Sequence, residues 1–340
     1  MNVPYSVIRR WALAVTLLSM VVAHSPANAV TIDWVTVGDA GNTADTTGYG
    51  AVAYQYQIMK YEWTNAQYTA FLNAIDPDGS NPNAVYNLSM GTDVRGGIGF
   101  DSLASTGSKY SVKASMDDKP VNDVSWWDAA RVSNWLHNGS QTYGSTDASA
   151  TAPQNTGAYE VGTNTSGSSI AKNPGALYWL PTENEWYKAA YYAGGSATYR
   201  TFANGFDTNP ATVTADSNGN GSAGGSGNFA NHNFSADWNG QDGNVTTVGT
   251  NGGASPYGLY DMNGNVWEWN DLDGTAGILR GIRGGSLGST TNFLSSDHRD
   301  LDVTTIENDN GGFRLVPEPS TWALGIASVG LALHRRRKQG

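Results

Sequence analysis

The 340-residue chain contains no cysteine. Disulfides, thiolate metal centres and thiol nucleophiles are excluded together. Charge is scarce, with Asp, Glu, Lys and Arg making up 14%, and there are only five histidines. No apolar run reaches the roughly 20 residues that span a bilayer comfortably. What is abundant is glycine, at 42 residues, and aromatic side chain, with 12 Trp and 17 Tyr. Each buried aromatic removes roughly 150–250 Å² from water, so such a chain can build a real core. The many Gly, Asn, Ser and Thr residues predict long ordered loops in place of long helices.

Both ends carry targeting patterns. Arg9 and Arg10 precede a short apolar stretch, Trp11 to Ala23, and Ala27-Asn28-Ala29 supplies small residues for cleavage. This predicts a signal peptide over residues 1–29. At the other end, Val316-Pro317-Glu318-Pro319-Ser320 leads into apolar Thr321 to Leu333 and then Arg335-Arg336-Arg337-Lys338. That order resembles the PEP-CTERM sorting signal over 316–340. The resemblance implies an exosortase-type processing protease as partner and delivery to the cell surface or extracellular matrix. The basic cluster would stay cytoplasmic, and the apolar stretch would hold the exported chain briefly at the inner membrane. A plain membrane anchor is the alternative at either end, and the shortness of both stretches disfavours it. Without the two ends, residues 30–316 keep 13 basic against 29 acidic residues, a formal charge of −16. Such a surface argues against nucleic acid and suits divalent cations, or simply keeps the protein soluble.

Three helices are legible in the body. Thr64 can cap 64–74, where Tyr68, Phe71 and Leu72 share a face. Ser125 with Asp128 opens 125–138 as a capping box, and Gly139 ends it. Thr182 with Glu185 opens the third after Pro181, with Gly194 as its stop. Strand-like pieces are Val52 to Lys60, Gly258 to Met262, Val266 to Trp269, Ile278 to Arg283 and Gly312 to Val316. Trp267 and Trp269 alternate with Val266 and Glu268, which predicts two indoles on one core face. Stretches 139–175 and 204–228 read as surface loops inserted in one domain. The simplest description is a single α+β domain, loop-rich, with short strands and about three helices.

Six strings then fall in order: YEWTNAQYTAFLNA (61–74), PVNDVSWWDAARVSNWL (120–136), YWLPTENEWYKAA (178–190), YGLYDMNGNVWEW (257–269), RGIRGGS (280–286) and GGFRLV (311–316). Together they resemble the sulfatase-modifying-factor, or formylglycine-generating enzyme, family across residues 31–316. Trp179 stands where that family usually has Arg. The resemblance implies a C-type-lectin-like fold with little regular structure.

In the formylglycine-generating enzymes two cysteines after the RGGS motif bind copper. Here those places fall near Ser289 and Leu294, neither of them a soft ligand, so no copper is expected. His298 and Arg299 lie close by and are weak candidates for residual chemistry. Ser289 lacks a nucleophile-elbow motif and reads as a loop serine making backbone hydrogen bonds, rather than as a nucleophile. An iron site built from His137, His232 and His298 would need ligands that the sequence keeps far apart, and His137 reads as a solvated imidazole at a helix C-terminus.

The resemblance implies two structural calcium sites. One would use the Asp261 and Glu268 carboxylates with the Gly264 and Val266 carbonyls, although the family often has Asn at the first position. The other would use Asn231, the His232 carbonyl, Asp242 and the Asn244 carbonyl. Hard Ca²⁺ takes six to eight such oxygens. The alternative is that these carboxylates only accept backbone hydrogen bonds. Arg283, Arg299 and Arg314 suit either buried carboxylates or a ligand. Two functions follow as expectations. One is a calcium-stabilised binding or structural module whose partner is an extracellular polysaccharide or matrix protein. The other is a metal-dependent oxidoreductase of the wider family, for example a non-haem-iron enzyme.

Overall fold

The computed structural model describes residues 30–144, 146–195 and 198–318. The expected signal peptide and the apolar and basic parts of the C-terminal signal lie outside these residues. Among the described residues four α-helices and twelve short strands alternate with coil, an α+β arrangement.

The chain opens with β1 (Trp34–Val37) and β2 (Tyr56–Met59), paired antiparallel with Trp34 opposite Met59. Next come α1 (Asn65–Ile75), the single turn α2 (Ser89–Thr92), and the hairpin of β3 (Ile98–Phe100) with β4 (Tyr110–Val112). Helix α3 (Trp126–His137), β5 (Tyr178–Trp179) and α4 (Glu183–Tyr191) follow. The short parallel pair β6 (Ala211–Thr212) and β7 (Phe229–Ala230) precedes the main sheet. That sheet is formed by β8 (Trp267–Asn270), β9 (Leu279–Arg283), β10 (Asp300–Val303) and β11 (Gly311–Phe313), in the order β10-β9-β8-β11. Only β11 with β8 is parallel within it. Strand β12 (Val316–Pro317) closes antiparallel on β5.

All three expected helices start where their caps predict. Thr64, Ser125 and Thr182 each accept from the backbone N–H three residues on, and Gln67, Asp128 and Glu185 return the bond. Helix α4 ends at Tyr191, three residues before Gly194, because Tyr192 is already extended.

The core is aromatic. Trp63 stacks on Phe313 at 5.8 Å, Phe71 meets Trp135 edge-on at 5.6 Å, and Trp126 meets Trp127 at 5.2 Å. Burial of each Trp contributes about 4–6 kcal/mol before ordering entropy is subtracted. Three sequence expectations need correction. Segment 258–262 is a turn and not a strand, with Gly258 and Asp261 at positive φ. Loop 139–175 is not a surface insertion throughout, since Ala158, Tyr159 and Val161 are fully buried and Tyr159 meets Trp126 at 5.5 Å. Of the two indoles on β8, Trp269 enters the core, whereas Trp267 is half-buried against Phe293 and His298.

Candidate functional site

The YDMNGNVWEW segment runs from the turn at Asp261 into β8 and sets up a buried polar layer. Glu268 and Arg314 form its centre. Both are fully buried, and both carboxylate oxygens accept from the guanidinium at 2.6 Å. Trp186 adds an indole N–H at 2.7 Å. Arg314 also donates to the Met59 and Tyr260 carbonyls. Glu62 stands alongside, accepting from Asn265 Nδ2 at 2.7 Å and from the Val266 N–H at 3.3 Å. Asp261 accepts from Asn251 Nδ2 at 2.9 Å and from the Gly249 N–H. Three buried carboxylates thus face one guanidinium. Burial, then repulsion by Asp261 and Glu268, holds the Glu62 carboxyl well above its usual range. Burial likewise pushes Asp261 up to about 6.

The two expected calcium sets prove to be neighbours. Asn231 bridges Gly264, and the Asn265 N–H donates to the Asn231 carbonyl at 2.8 Å. Gly264 is required there, because its φ is +79° and a Cβ would stand 2.2 Å from that carbonyl oxygen. The carboxylates of the first set are more heavily engaged than the donors of the second. Both oxygens of Glu268 and both of Asp261 accept from protein donors, and these are side chains except for the Gly249 N–H, so the purely backbone-bonded alternative does not describe them. In the second set the His232 carbonyl accepts from Ser235, the Asn244 carbonyl accepts from Asn231 Nδ2, and the Asp242 side chain is exposed. Asn231 Oδ1 is buried without a partner, so this set keeps one oxygen free for a hard cation. Among the described residues no three His, Asp or Glu side chains converge as a ligand set for a metal.

Ser289 and Leu294, near which the resemblance puts the thiolate positions, both lie against Gly285. A Cβ on Gly285 would lie 2.7 Å from Leu294 Cδ1 and 3.3 Å from Ser289 Cβ. Leu294 is fully buried at the end of a 3-10 turn, Thr291–Leu294, and packs with Phe202 and Ala230. Ser289 Oγ accepts from the Ser286 N–H at 2.9 Å, which leaves it bonded as a structural loop serine. His232 reaches the Pro210 carbonyl at 3.2 Å, and burial lowers its pKa. His298 packs on Phe293 at 4.6 Å, also lowered by burial. His137 ends α3 and accepts from the Leu177 N–H through Nδ1.

A cleft of about 300 Å³ opens beside the first turn of α4, lined by Tyr49, Glu183, Asn184, Asp273, Arg280 and Arg299. Glu183 is buried. Its Oε1 accepts from Arg283 Nε, and its Oε2 lies 3.5 Å from Arg299 Nε. The Arg283 and Arg299 guanidinium groups sit 5.2 and 5.5 Å from the Tyr49 ring centre. Sequence reasoning had singled out Arg283 and Arg299 but missed Tyr49, Glu183 and Arg280. Glu183 and Arg280 lie within the YWLPTENEWYKAA and RGIRGGS strings, whereas Tyr49 carries no sequence signal.

The Sulfatase-modifying factor enzyme 1-like domain matches residues 35–319. The chain belongs to this family. Treponema denticola variable protein 1 is similar at 18% identity and a TM-score of 0.51, covering 87% of this chain and 98% of that one. The crystal structure of CarF is similar at 25% identity and a TM-score of 0.50, covering 84% and 98%. PvdO from Pseudomonas aeruginosa follows at 19% identity and a TM-score of 0.41, covering 85% and 92%. No curated protein sequence matches. The family match and the likeness to the Treponema denticola protein agree with the single C-type-lectin-like domain expected from the motifs.

Proposed function

We propose that this family member is an exported binding or structural module of the cell surface or matrix, without copper-thiolate chemistry. The observation that carries this reading is the pair of neighbouring buried positions filled by Ser289 and Leu294. A hydroxyl already bonded to the backbone and an isobutyl group offer nothing to a soft metal. The terminal sequence patterns support export and processing by an exosortase-type protease. In this reading calcium sits at the Asn231 set, where the orphaned Oδ1 suits a hard cation and the His232 and Asn244 carbonyls, each accepting one hydrogen bond, keep a second lone pair. A metal bound only by the folded chain would stabilise it by mass action, in place of the missing disulfides. The ligand-facing surface in this reading is the cleft beside α4.

Metal analysis of the aerobically purified protein, paired with thermal unfolding before and after chelation, tests the reading. Calcium without copper or iron, and a melting temperature lowered by chelator and restored by calcium, are the expected results. Stoichiometric copper or iron would overturn it in favour of an oxidoreductase.

A further inference from the structure

Arg280 is 1% exposed, yet it makes no hydrogen bond among the described residues. Its nearest acid is Asp271, 3.3 Å from Nε. Asp271 already accepts from Trp126 Nε1 at 2.8 Å and from the Tyr159 hydroxyl at 2.6 Å. The Arg280 guanidinium lies 5.1 Å from the Trp126 ring centre and lines the cleft beside α4. Arg299, on the same cleft with its side chain 31% exposed, also makes no hydrogen bond among the described residues. Arg283 behind them keeps Nη2 without a partner, and Glu183 keeps Oε2.

The orphaned atoms are unequal in kind. Arg280 Nε and Nη2, Arg283 Nη2 and Arg299 Nε are donors, whereas Glu183 Oε2 is the lone acceptor among them. Buried polar groups without partners are costly and call for a specific explanation. A planar guanidinium presents its N–H groups as a fork that matches an oxyanion. Glu183 and Asp273 on the cleft wall, and the −16 charge of the body, oppose a doubly charged group such as phosphate. The cleft, at about 300 Å³, has room for one compact ring-sized unit. Asn184, Asp273 and the free oxygen of Glu183 can engage hydroxyl groups around a ring.

We infer that this cleft binds a singly charged sugar acid, its carboxylate held between Arg280 and Arg299 and its hydroxyls by Glu183 and Asn184. The inference rests on the binding-module reading and names that module's ligand class: a carboxylated glycan, not a neutral one.

Calorimetric titration of the exported protein with galacturonate, galactose, sulfate and an acidic tripeptide tests it. Saturable binding of galacturonate is expected, with no measurable heat from galactose and at least tenfold weaker binding of sulfate and peptide. Arg299→Gln is expected to weaken galacturonate about tenfold or more, and Arg299→Lys less, because lysine keeps the charge without the fork. Arg299 is part-exposed, so an unchanged melting temperature separates lost binding from lost folding. Arg280→Lys serves as the buried counterpart. Galactose binding as tightly as galacturonate, sulfate or peptide binding tighter, an unaffected Arg299→Gln, or silence from every acid would overturn the inference. A matrix pull-down distinguishes the two failures. Wild-type retention on isolated matrix with no galacturonate binding sinks the ligand class alone. Galacturonate binding without matrix retention sinks the module reading alone.

Discussion

Electrostatic tension in this protein gathers at Asp123 and at the Glu268–Arg314 pair. Asp123 lies just before α3 with φ at +56° and a buried Oδ2 that has no partner among the described residues. Burial, then Asp309 and Asp93, pushes its carboxyl up to about 7. A carboxyl whose pKa is higher folded than unfolded favours folding only while protonated. Its contribution is complete below about pH 4 and is lost as pH rises through about 7. Asp123→Asn keeps the shape and tolerates positive φ. The variant should be about 2–3 kcal/mol more stable than wild type at pH 8 and indistinguishable at pH 4, read by urea unfolding at both values. At Glu268 and Arg314 the asymmetry runs the other way. Glu268→Gln leaves Arg314 facing Glu62 and Asp261, and should cost about 1–3 kcal/mol. Arg314→Met leaves three buried carboxylates with no cation and should cost about 3–5 kcal/mol. Guanidinium denaturation would rank the two, and the opposite order would refute this account of the layer.

Among the elements, the helices were the most legible part of the sequence. A cap three residues before its returning side chain is a local signal, and Thr64, Ser125 and Thr182 each used it. Thr182→Ala and Ser125→Ala should each cost about 1 kcal/mol in urea unfolding. The strands were less legible because most span two to four residues, too short for a period-two pattern to declare itself. Strand β10 alternates Asp300 and Asp302 with Leu301 and Val303 and is an edge strand, whose pairing with β9 no local motif announces. Segment 258–262 shows the converse error. Its apolar residues suggested a strand, but Gly258 and Asp261 at positive φ turn it, and it is the turn that delivers Asp261 to the buried layer.

For the molecule as a whole, family and fold class were legible because six ordered strings span the body. The candidate sites were only half legible. The juxtaposition of Ser289 with Leu294 follows the family order, whereas Arg314 closing on Glu268 depends on two segments 46 residues apart. The cleft beside α4 joins Tyr49, Glu183 and Arg299 across the whole chain, which no spacing rule could have foreseen. The far ends of the body show the same long-range closure. Strand β1 stacks Trp34 on Tyr178 at 6.0 Å, and Tyr178 pairs with Pro317 in β12. The Glu318 N–H is fastened to the Leu177 carbonyl at 2.8 Å. Chain therefore enters and leaves the body on one side. A body attached to a support through either flank would therefore turn its opposite side away from that support.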